Sequence, residues 1–418
     1  MRIDAELLIP GDGEPVPGAT LTVADGKIVY AGPTVNAPDE VTAEPSEARV
    51  HTLMPGLWDA HAHLLGAKML DHVAIALTPV AVRAARSVAD LRAALDAGVT
   101  SIRDLGGLGV DLAEAVNEGS VVGPRIYGAG AILTPTGGHG DVPSLPLRLV
   151  GERDPGVRIE SRICDGVSDC VRAVREQLRR SARLIKVCAS GTMGTLIDNP
   201  SQLQFTPEEL RAIVETAGLA DRIVAAHAVG RPGILAAVQA GVRTIEHGSD
   251  LDDEACDAMR ETGTILVPTC GVVEHFTSIP GLADEARSAL QRTAARHNES
   301  IARAIERGVE VALGTDAVTS HAFGASPVSW GSHGAELKRL VRLGMSPLAA
   351  IRSATAVGPA TLGPQAPLTG QLVTGYDADM IALSINPLTE VHRLADPTVV
   401  EQVWIGGRLV KGTDAVAV

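Results

Sequence analysis

The alternation of apolar and polar positions changes twice along the 418-residue chain. Residues 1–56 contain short alternating runs separated by Gly, Pro and Asp, which predict strands joined by tight turns. From residue 57 onward, apolar strand-like runs alternate with Ala- and Leu-rich helical stretches, as in a parallel sheet with crossover helices. Turn-rich, strand-like text returns after residue 358, and we expect this tail to pair with the N-terminal strands.

Eight apolar runs are candidates for the parallel strands, and eight strands suit a closed barrel with outer helices. These runs are LWDAHAH (57–63), VTSIRDL (99–105), RIYGAGAIL (125–133), LIKVCAS (184–190), RIVAAHA (222–228), RTIEHG (243–248), TILVPTC (264–270) and VEVALGTDA (309–317). The predicted fold is therefore α/β, a (β/α)8 TIM barrel over residues 57–358. A small β-sandwich domain would be formed by residues 1–56 and 359–418.

One connection departs from this alternation. Residues 134–168, which begin TPTGGHGDVPSLPL, form a long Gly- and Pro-rich segment after the third predicted strand. Long connections inside compact domains are usually functional or disordered. We therefore expect this segment to close over a pocket at the strand ends.

Composition and charge restrict the class of partner. The formal net charge is -14 and the basic residues form no dense run, which argues against binding to nucleic acid or an anionic membrane. No apolar stretch approaches the roughly 20 residues of a membrane span. The five cysteines match neither a disulfide framework nor a structural zinc motif, so we expect a reducing cytoplasm and a small-molecule partner.

Five metal-ligand side chains fall at the ends of predicted strands. His61 and His63 are two residues apart, so in an extended chain both imidazoles point to the same side. His227, His247 and Asp316 end the fifth, sixth and eighth runs. Because the carboxyl ends of barrel strands meet at one face, the sequence predicts a metal site there. These residue types suit zinc, and also manganese, cobalt or nickel.

Lys186 lies inside the otherwise apolar run LIKVCAS. A buried ammonium group must either have a partner or lose its charge, because burying an unpaired charge is costly. The alternative is an edge lysine whose stem is buried and whose amine reaches solvent.

Together these motifs resemble the amidohydrolase superfamily, and within it the imidazolonepropionase-like and Xaa-Pro dipeptidase (prolidase-like) group, which includes ochratoxin-degrading amidohydrolases. The resemblance spans nearly the whole chain. It rests on MPGLWDAHAHL, LIKVCASGTMG, AAHAVGRPGI, TIEHGSDLDD and LGTDAV.

The resemblance implies two divalent metal ions, with zinc expected, bridged by an N6-carboxylated Lys186. The family pattern assigns His61, His63 and Asp316 to one ion, and His227 and His247 to the other. A metal-bridging hydroxide would attack the substrate carbonyl, and Asp316 would take its proton. His139 resembles an additional active-site histidine of the family that hydrogen-bonds the substrate.

The expected activity is hydrolysis of a C–N amide bond, in a dipeptide or an N-acyl amino acid. The alternatives are a cyclic amide or imidazolone, and a xenobiotic amide, carbamate or toxin such as ochratoxin. A non-catalytic metal-binding scaffold is the alternative of another class. Tyr127, Arg162 and Arg231 are candidates for binding a substrate carboxylate by their position near strand or loop ends, although each could equally be ion-paired or at the surface. A homo-oligomer is compatible with the resemblance.

Overall fold

The computed structural model describes residues 1–412 except residue 44, segments 148–149, 151–159 and 193–198, and residue 325. The described strands are β1 (Arg2–Leu8), β2 (Val16–Ala24), β3 (Lys27–Pro33), β4 (Ala48–Pro55), β5 (Leu57–Ala67), β6 (Val99–Asp104), β7 (Arg125–Gly128), β8 (Ile132–Thr134), β9 (Ser161–Ile163), β10 (Ile185–Cys188), β11 (Val224–Ala228), β12 (Thr244–His247), β13 (Ile265–Val267), β14 (Ala317–Thr319), β15 (Met380–Leu383), β16 (Val400–Ile405) and β17 (Arg408–Lys411). Part of the segment predicted to close over the pocket lies outside the described residues.

Helices separate most of the central strands. They are α1 (Asp39–Ala43), α2 (His72–Leu77), α3 (Val80–Asp96), α4 (Gly109–Asn117), α5 (Val167–Arg179), α6 (Pro207–Gly218), α7 (Arg231–Ala240), α8 (Asp253–Thr262), α9 (Cys270–Thr277), α10 (Asp284–Glu306), α11 (Gly334–Arg342), α12 (Pro347–Ser353), α13 (Val357–Ala360) and α14 (Pro387–Glu390). Helix α6 shows why such segments begin where they do: Thr206 and Glu209 form a reciprocal capping box ahead of it. Among the described helices, none is long and apolar enough to cross a membrane.

Strands from both ends of the chain join one seven-stranded sheet in the order β17-β16-β15-β4-β1-β2-β3. Strand β15 pairs antiparallel with β4, and β1 pairs parallel with β4. Apolar side chains such as Leu21, Leu53 and Trp404 form the buried core of this sheet. The two-layered sandwich and the exact domain bounds stay predictions.

The central strands form two parallel sheets, in the orders β13-β12-β11-β10-β8-β9 and β14-β5-β6-β7. A large apolar core, which includes Leu91, Val187, Ile213 and Leu266, fills the space between strands and helices. The α/β class and the parallel sheets are thus confirmed.

Two of the predicted strands differ in detail. The third run is divided into β7 and β8 around Gly130, which has a positive φ of 75°. The eighth run forms only an isolated bridge, between Val311 and Leu266, before β14 begins. The backbone N–H of Thr315 there bonds both to the His61 carbonyl of β5 at 3.2 Å and to the Asp59 carboxylate at 3.1 Å. A side chain therefore supplements irregular backbone pairing in this run.

Candidate metal centre

His61, His63 and Asp316 converge partway along β5, which continues to Ala67. The Asp316 Oδ1 atom is 3.6 Å from His61 Nε2 and 3.3 Å from His63 Nε2. Asp316 adopts a left-handed conformation with a φ of 58°, and its backbone N–H donates to the His61 carbonyl at 2.7 Å. This turn brings the carboxylate to the two imidazoles.

His227 and His247, at the ends of β11 and β12, complete the cluster of histidines. The centroid of the His247 ring lies 4.6 Å from that of His227 and 5.0 Å from that of His61. One ligand atom from each of His61, His247 and Asp316 lies within 4.8 Å of the others. Nitrogen and carboxylate donors at this spacing fit a zinc-like divalent ion.

Hydrogen bonds at Nδ1 orient two of these imidazoles, those of His63 and His247. His63 Nδ1 donates to the Gly106 carbonyl at 2.7 Å, so a neutral ring leaves the Nε2 lone pair available. His247 Nδ1 is 2.7 Å from Thr269 Oγ1. Partners of this kind are typical around histidines that bind metals.

His227 carries the clearest sign that the cluster holds a further group. Its Nε2 atom is buried and has no hydrogen-bond partner among the described residues. Buried polar atoms are almost always satisfied, so an orphaned ring nitrogen within a histidine cluster fits a metal ligand. The donor set therefore fits the divalent ions that the family motifs imply.

Burial shapes the protonation of these ligands. It lowers the pKa of His61 and His227 well below the ordinary value and that of His247 to about 3, which leaves neutral rings. Burial by itself raises the pKa of Asp316, but His61, His63 and the neighbouring His247 outweigh it and hold the carboxyl well below its usual range. His61, His227 and His247 are thus neutral imidazoles at neutral pH and Asp316 is a carboxylate. At His63 burial lowers the pKa, but the hydrogen bond and charge of Asp316 outweigh burial and raise it.

Lys186 is buried within β10, and the register of the sheet pairs it with Ala225, two residues before His227. Burial lowers the pKa of its amine, although the charges of Glu246, Cys188 and Asp316 act in the opposite direction. A lowered pKa increases the neutral, nucleophilic fraction of the amine. The solvent-reaching alternative for Lys186 is excluded by its burial.

His139 is brought to the cluster by the connection after β8. Its ring stacks on that of His227 with a centroid separation of 4.2 Å and an interplanar angle of 17°. Its backbone N–H donates to Gln204 Oε1 at 2.8 Å. His139 therefore lies beside His227, and its predicted hydrogen bond to the substrate stays a prediction.

The three residues suggested for a substrate carboxylate have partners elsewhere. Tyr127 stacks on Trp58, three residues before His61, at a centroid separation of 5.1 Å. Arg162 bonds to Asp169 and Glu176 at 2.9 Å each, and Arg231 bonds to Asp252 and Glu254. Stacking thus holds Tyr127, and acidic neighbours pair with Arg162 and Arg231; a role for these three residues in binding a substrate carboxylate stays a prediction.

Sequence reasoning missed the buried polar residues behind the ligands. Asp59 accepts bonds from the backbone N–H groups of His61 at 3.0 Å and Thr315 at 3.1 Å, which ties the two ligand segments together. Burial raises the pKa of Asp59 to about 7. Glu246 contacts His61 directly. An acidic residue inside an apolar strand was the available signal, the same one that singled out Lys186.

An apolar wall adjoins the strand ends that carry the ligands. Leu65 lies two residues after His63 on β5, and Val318 of β14 lies two residues after Asp316, which precedes that strand. Both belong to a buried cluster with Ile75 and Val272, and Phe276 packs against it. Apolar walls with a few polar groups are typical of small-molecule sites.

Comparison with known proteins agrees with these features. The model of the amidohydrolase family matches residues 52–410. The chain belongs to this family. It is 43% identical over 424 residues to the ochratoxinase of Aspergillus niger, covering 98% of this chain and 86% of that protein. The crystal structure of that ochratoxinase superposes with a TM-score of 0.91 at 42% identity, covering 99% of this chain and 96% of the other.

A second solved relative is a prolidase complexed with N-methylphosphonate-L-proline. It is 30% identical, has a TM-score of 0.83 and covers 99% of this chain and 100% of its own. These relatives, together with the family match, show that this protein is a hydrolase acting on C–N bonds. The non-catalytic scaffold is therefore disfavoured.

Proposed function

We propose that this amidohydrolase is a binuclear metal enzyme that cleaves the amide bond of an N-acyl amino acid or a dipeptide. The convergence of four histidines, Lys186 and Asp316 at the strand ends carries the proposal. A toxin amide such as ochratoxin is the second candidate, because the relative named ochratoxinase is 43% identical to this chain over the aligned residues.

In this proposal His61, His63 and Asp316 hold one ion, and His227 and His247 hold the other. The orphaned Nε2 of His227 supports the second assignment. Lys186, carboxylated on its amine, would supply oxygen ligands to both, and its lowered pKa supports this because carboxylation requires the neutral amine. Two divalent ions, when bound, would polarise the amide carbonyl and lower the pKa of a bound water.

Asp316, His139 and the apolar wall each have a separate role in the proposed reaction. Asp316 is the proton acceptor, and its lowered pKa keeps it ionised and able to pass the proton on to the leaving nitrogen. His139 hydrogen-bonds the carbonyl or carboxylate of the substrate from its position against His227. The apolar wall around Leu65 and Phe276 receives an apolar substrate group and excludes water.

We also propose that the two parallel sheets close into one barrel, which would hold all ligands at one rim. Backbone bonds between the sheets support closure: Ala60 N–H to Leu313 O at 2.8 Å, Ala312 N–H to Leu266 O at 2.9 Å, and Arg183 N–H to Gly128 O at 2.8 Å. The homo-oligomer and the cytoplasmic location stay predictions.

Elemental analysis together with a substrate panel tests the function. The purified protein would be assayed on dipeptides, N-acyl amino acids, ochratoxin A and an imidazolone, before and after chelation and after reloading with zinc and bicarbonate. About two metals per chain and chelator-sensitive amide hydrolysis are expected. Activity on the ring compound alone would refute the amide assignment, and a reloaded protein without turnover would refute catalysis.

A further inference from the structure

We propose that Glu246 and Arg103 are a buried positioning pair that fixes the tautomer and the direction of His61. The inference rests on the proposed metal function, since its purpose is to present His61 Nε2 to an ion. Neither residue belongs to the predicted ligand set.

Both carboxylate oxygens of Glu246 are used. Oε2 lies 2.8 Å from His61 Nδ1, and Oε1 accepts from Arg103 Nη2 at 2.6 Å and from Thr244 Oγ1 at 2.5 Å. The side chains of Arg103 and Glu246 are 0% exposed and that of His61 is 1% exposed. No solvent competes for these bonds, so the geometry is determined by the protein.

The donors and acceptors in this chain of hydrogen bonds can be assigned in only one way. A carboxylate only accepts hydrogen bonds, so His61 Nδ1 must carry the proton that lies between them. In a neutral imidazole the lone pair is then on Nε2. That atom faces Asp316 Oδ1 at 3.6 Å, on the side where the other ligands converge.

Arg103, on β6, holds Glu246 of β12 in place and also bonds to the backbone of β5. Its Nε donates to the Ala60 carbonyl at 2.6 Å, next to His61, and its Nη1 donates to the Thr361 carbonyl at 3.1 Å. The guanidinium is thereby fixed to the backbone and balances the carboxylate charge. A pair that only stabilised the core would not need its free oxygen aimed at a ligand histidine.

Glu246→Gln is the most informative variant because it preserves shape and reverses polarity. Arg103 can only donate, so the amide oxygen must face Arg103 and the amide N–H₂ must face His61. His61 Nδ1 then has to accept, which moves its proton to Nε2. We expect zinc affinity, measured by competition with a chromogenic chelator, to fall by roughly 10- to 100-fold.

Asp379→Asn is the matched control. Asp379 is a buried carboxylate just before β15 that accepts a hydrogen bond from Arg125 Nε of β7 at 2.7 Å, and this pair contains no histidine. We expect this variant to lose thermal stability and keep the parental zinc affinity. If Glu246→Gln also binds zinc within about twofold of the parent, the pair only stabilises the fold and the proposal is wrong.

A metal-free readout separates this inference from the proposed function. In chelated, ¹⁵N-histidine-labelled parent protein at pH 8, the ring signals that disappear in His61→Asn should show an Nδ1-bound proton. If these signals show no Nδ1-bound proton, the inference is overturned. Because this measurement uses the parent protein, it decides the question even if Glu246→Gln does not fold. If the parent binds no metal but this signal is present, the metal function fails while the orientation of His61 is upheld.

Discussion

His297 should make the stability of this protein depend on pH. The ring is fully buried in α10, and its Nδ1 lies 2.9 Å from Ser249 Oγ, two residues after His247. Burial lowers the pKa of His297 to about 4. The ring is therefore neutral in the folded protein where the unfolded chain already binds a proton.

The direction and the size of this pH dependence follow from the pKa values of His297 in the folded and unfolded states. The ordinary value is 6.5, so between pH 6.5 and 4 the unfolded state binds more protons and stability falls as the pH falls. One pKa unit corresponds to about 1.4 kcal/mol, and acidification from about pH 7.5 to 5 should cost about 2 kcal/mol through this residue. His297→Gln removes the titrating ring and therefore this loss.

The assay is urea unfolding of the chelated parent and of His297→Gln across that pH range. Other titrating groups cancel in the difference between the two proteins, so the stability advantage of the parent should shrink by about 2 kcal/mol towards pH 5. His392→Gln is the control, because water surrounds this exposed ring in both states. A parent-minus-variant difference that stays constant from pH 7.5 to 5 would refute the reasoning.

Three further changes test the centre itself. Asp316→Asn should keep the fold but lower turnover by about 100-fold or more, since general-base catalysis contributes about that much; near-normal kcat in the metal-loaded variant would contradict its role. Thr269→Val removes the hydroxyl 2.7 Å from His247 Nδ1. Its zinc affinity should fall by about 10-fold in chelator competition, and an unchanged value would make Thr269 irrelevant. Gly314→Ala places a methyl 2.3 Å from Val267 Cγ1 and 2.8 Å from His61 Cβ. Urea unfolding should show a loss of about 1–3 kcal/mol, and parental stability would contradict this packing.

The strand-end histidines could be predicted from the sequence because two regularities act together. A two-residue spacing such as that of His61 and His63 fixes a common side on an extended strand, and parallel strands bring their carboxyl ends to one edge. Neither rule requires knowledge of which distant residues contact each other. The same reasoning identified Lys186, because burial of an amine in an apolar strand demands an explanation.

The roles of the supporting residues Glu246 and Arg103 could not be predicted from the sequence. Glu246 and Arg103 are 143 positions apart, and only the register of the sheets brings them together. The suggested anion-binding residues illustrate a second limit of sequence reasoning. Arg162 and Arg231 are long, flexible cations in a chain of net charge -14, so nearby carboxylates occupy them. Position near a strand end does not reveal which acid an arginine contacts.

Two of the predicted ligands, His247 and Asp316, lie where regular strand geometry stops or has not yet begun. Non-glycine residues rarely adopt positive φ, and each such position costs about 1–3 kcal/mol. His247 and Asp316 nevertheless have φ values of 74° and 58°, and Thr269, which contacts His247 Nδ1, has 51°. At Asp316, the bond from its N–H to the His61 carbonyl and the bond from Thr315 N–H to the Asp59 carboxylate stabilise the turn. These protein contacts offset part of the backbone cost there, so the direction of the Asp316 carboxylate depends on Asp59 as well as on the strand that follows.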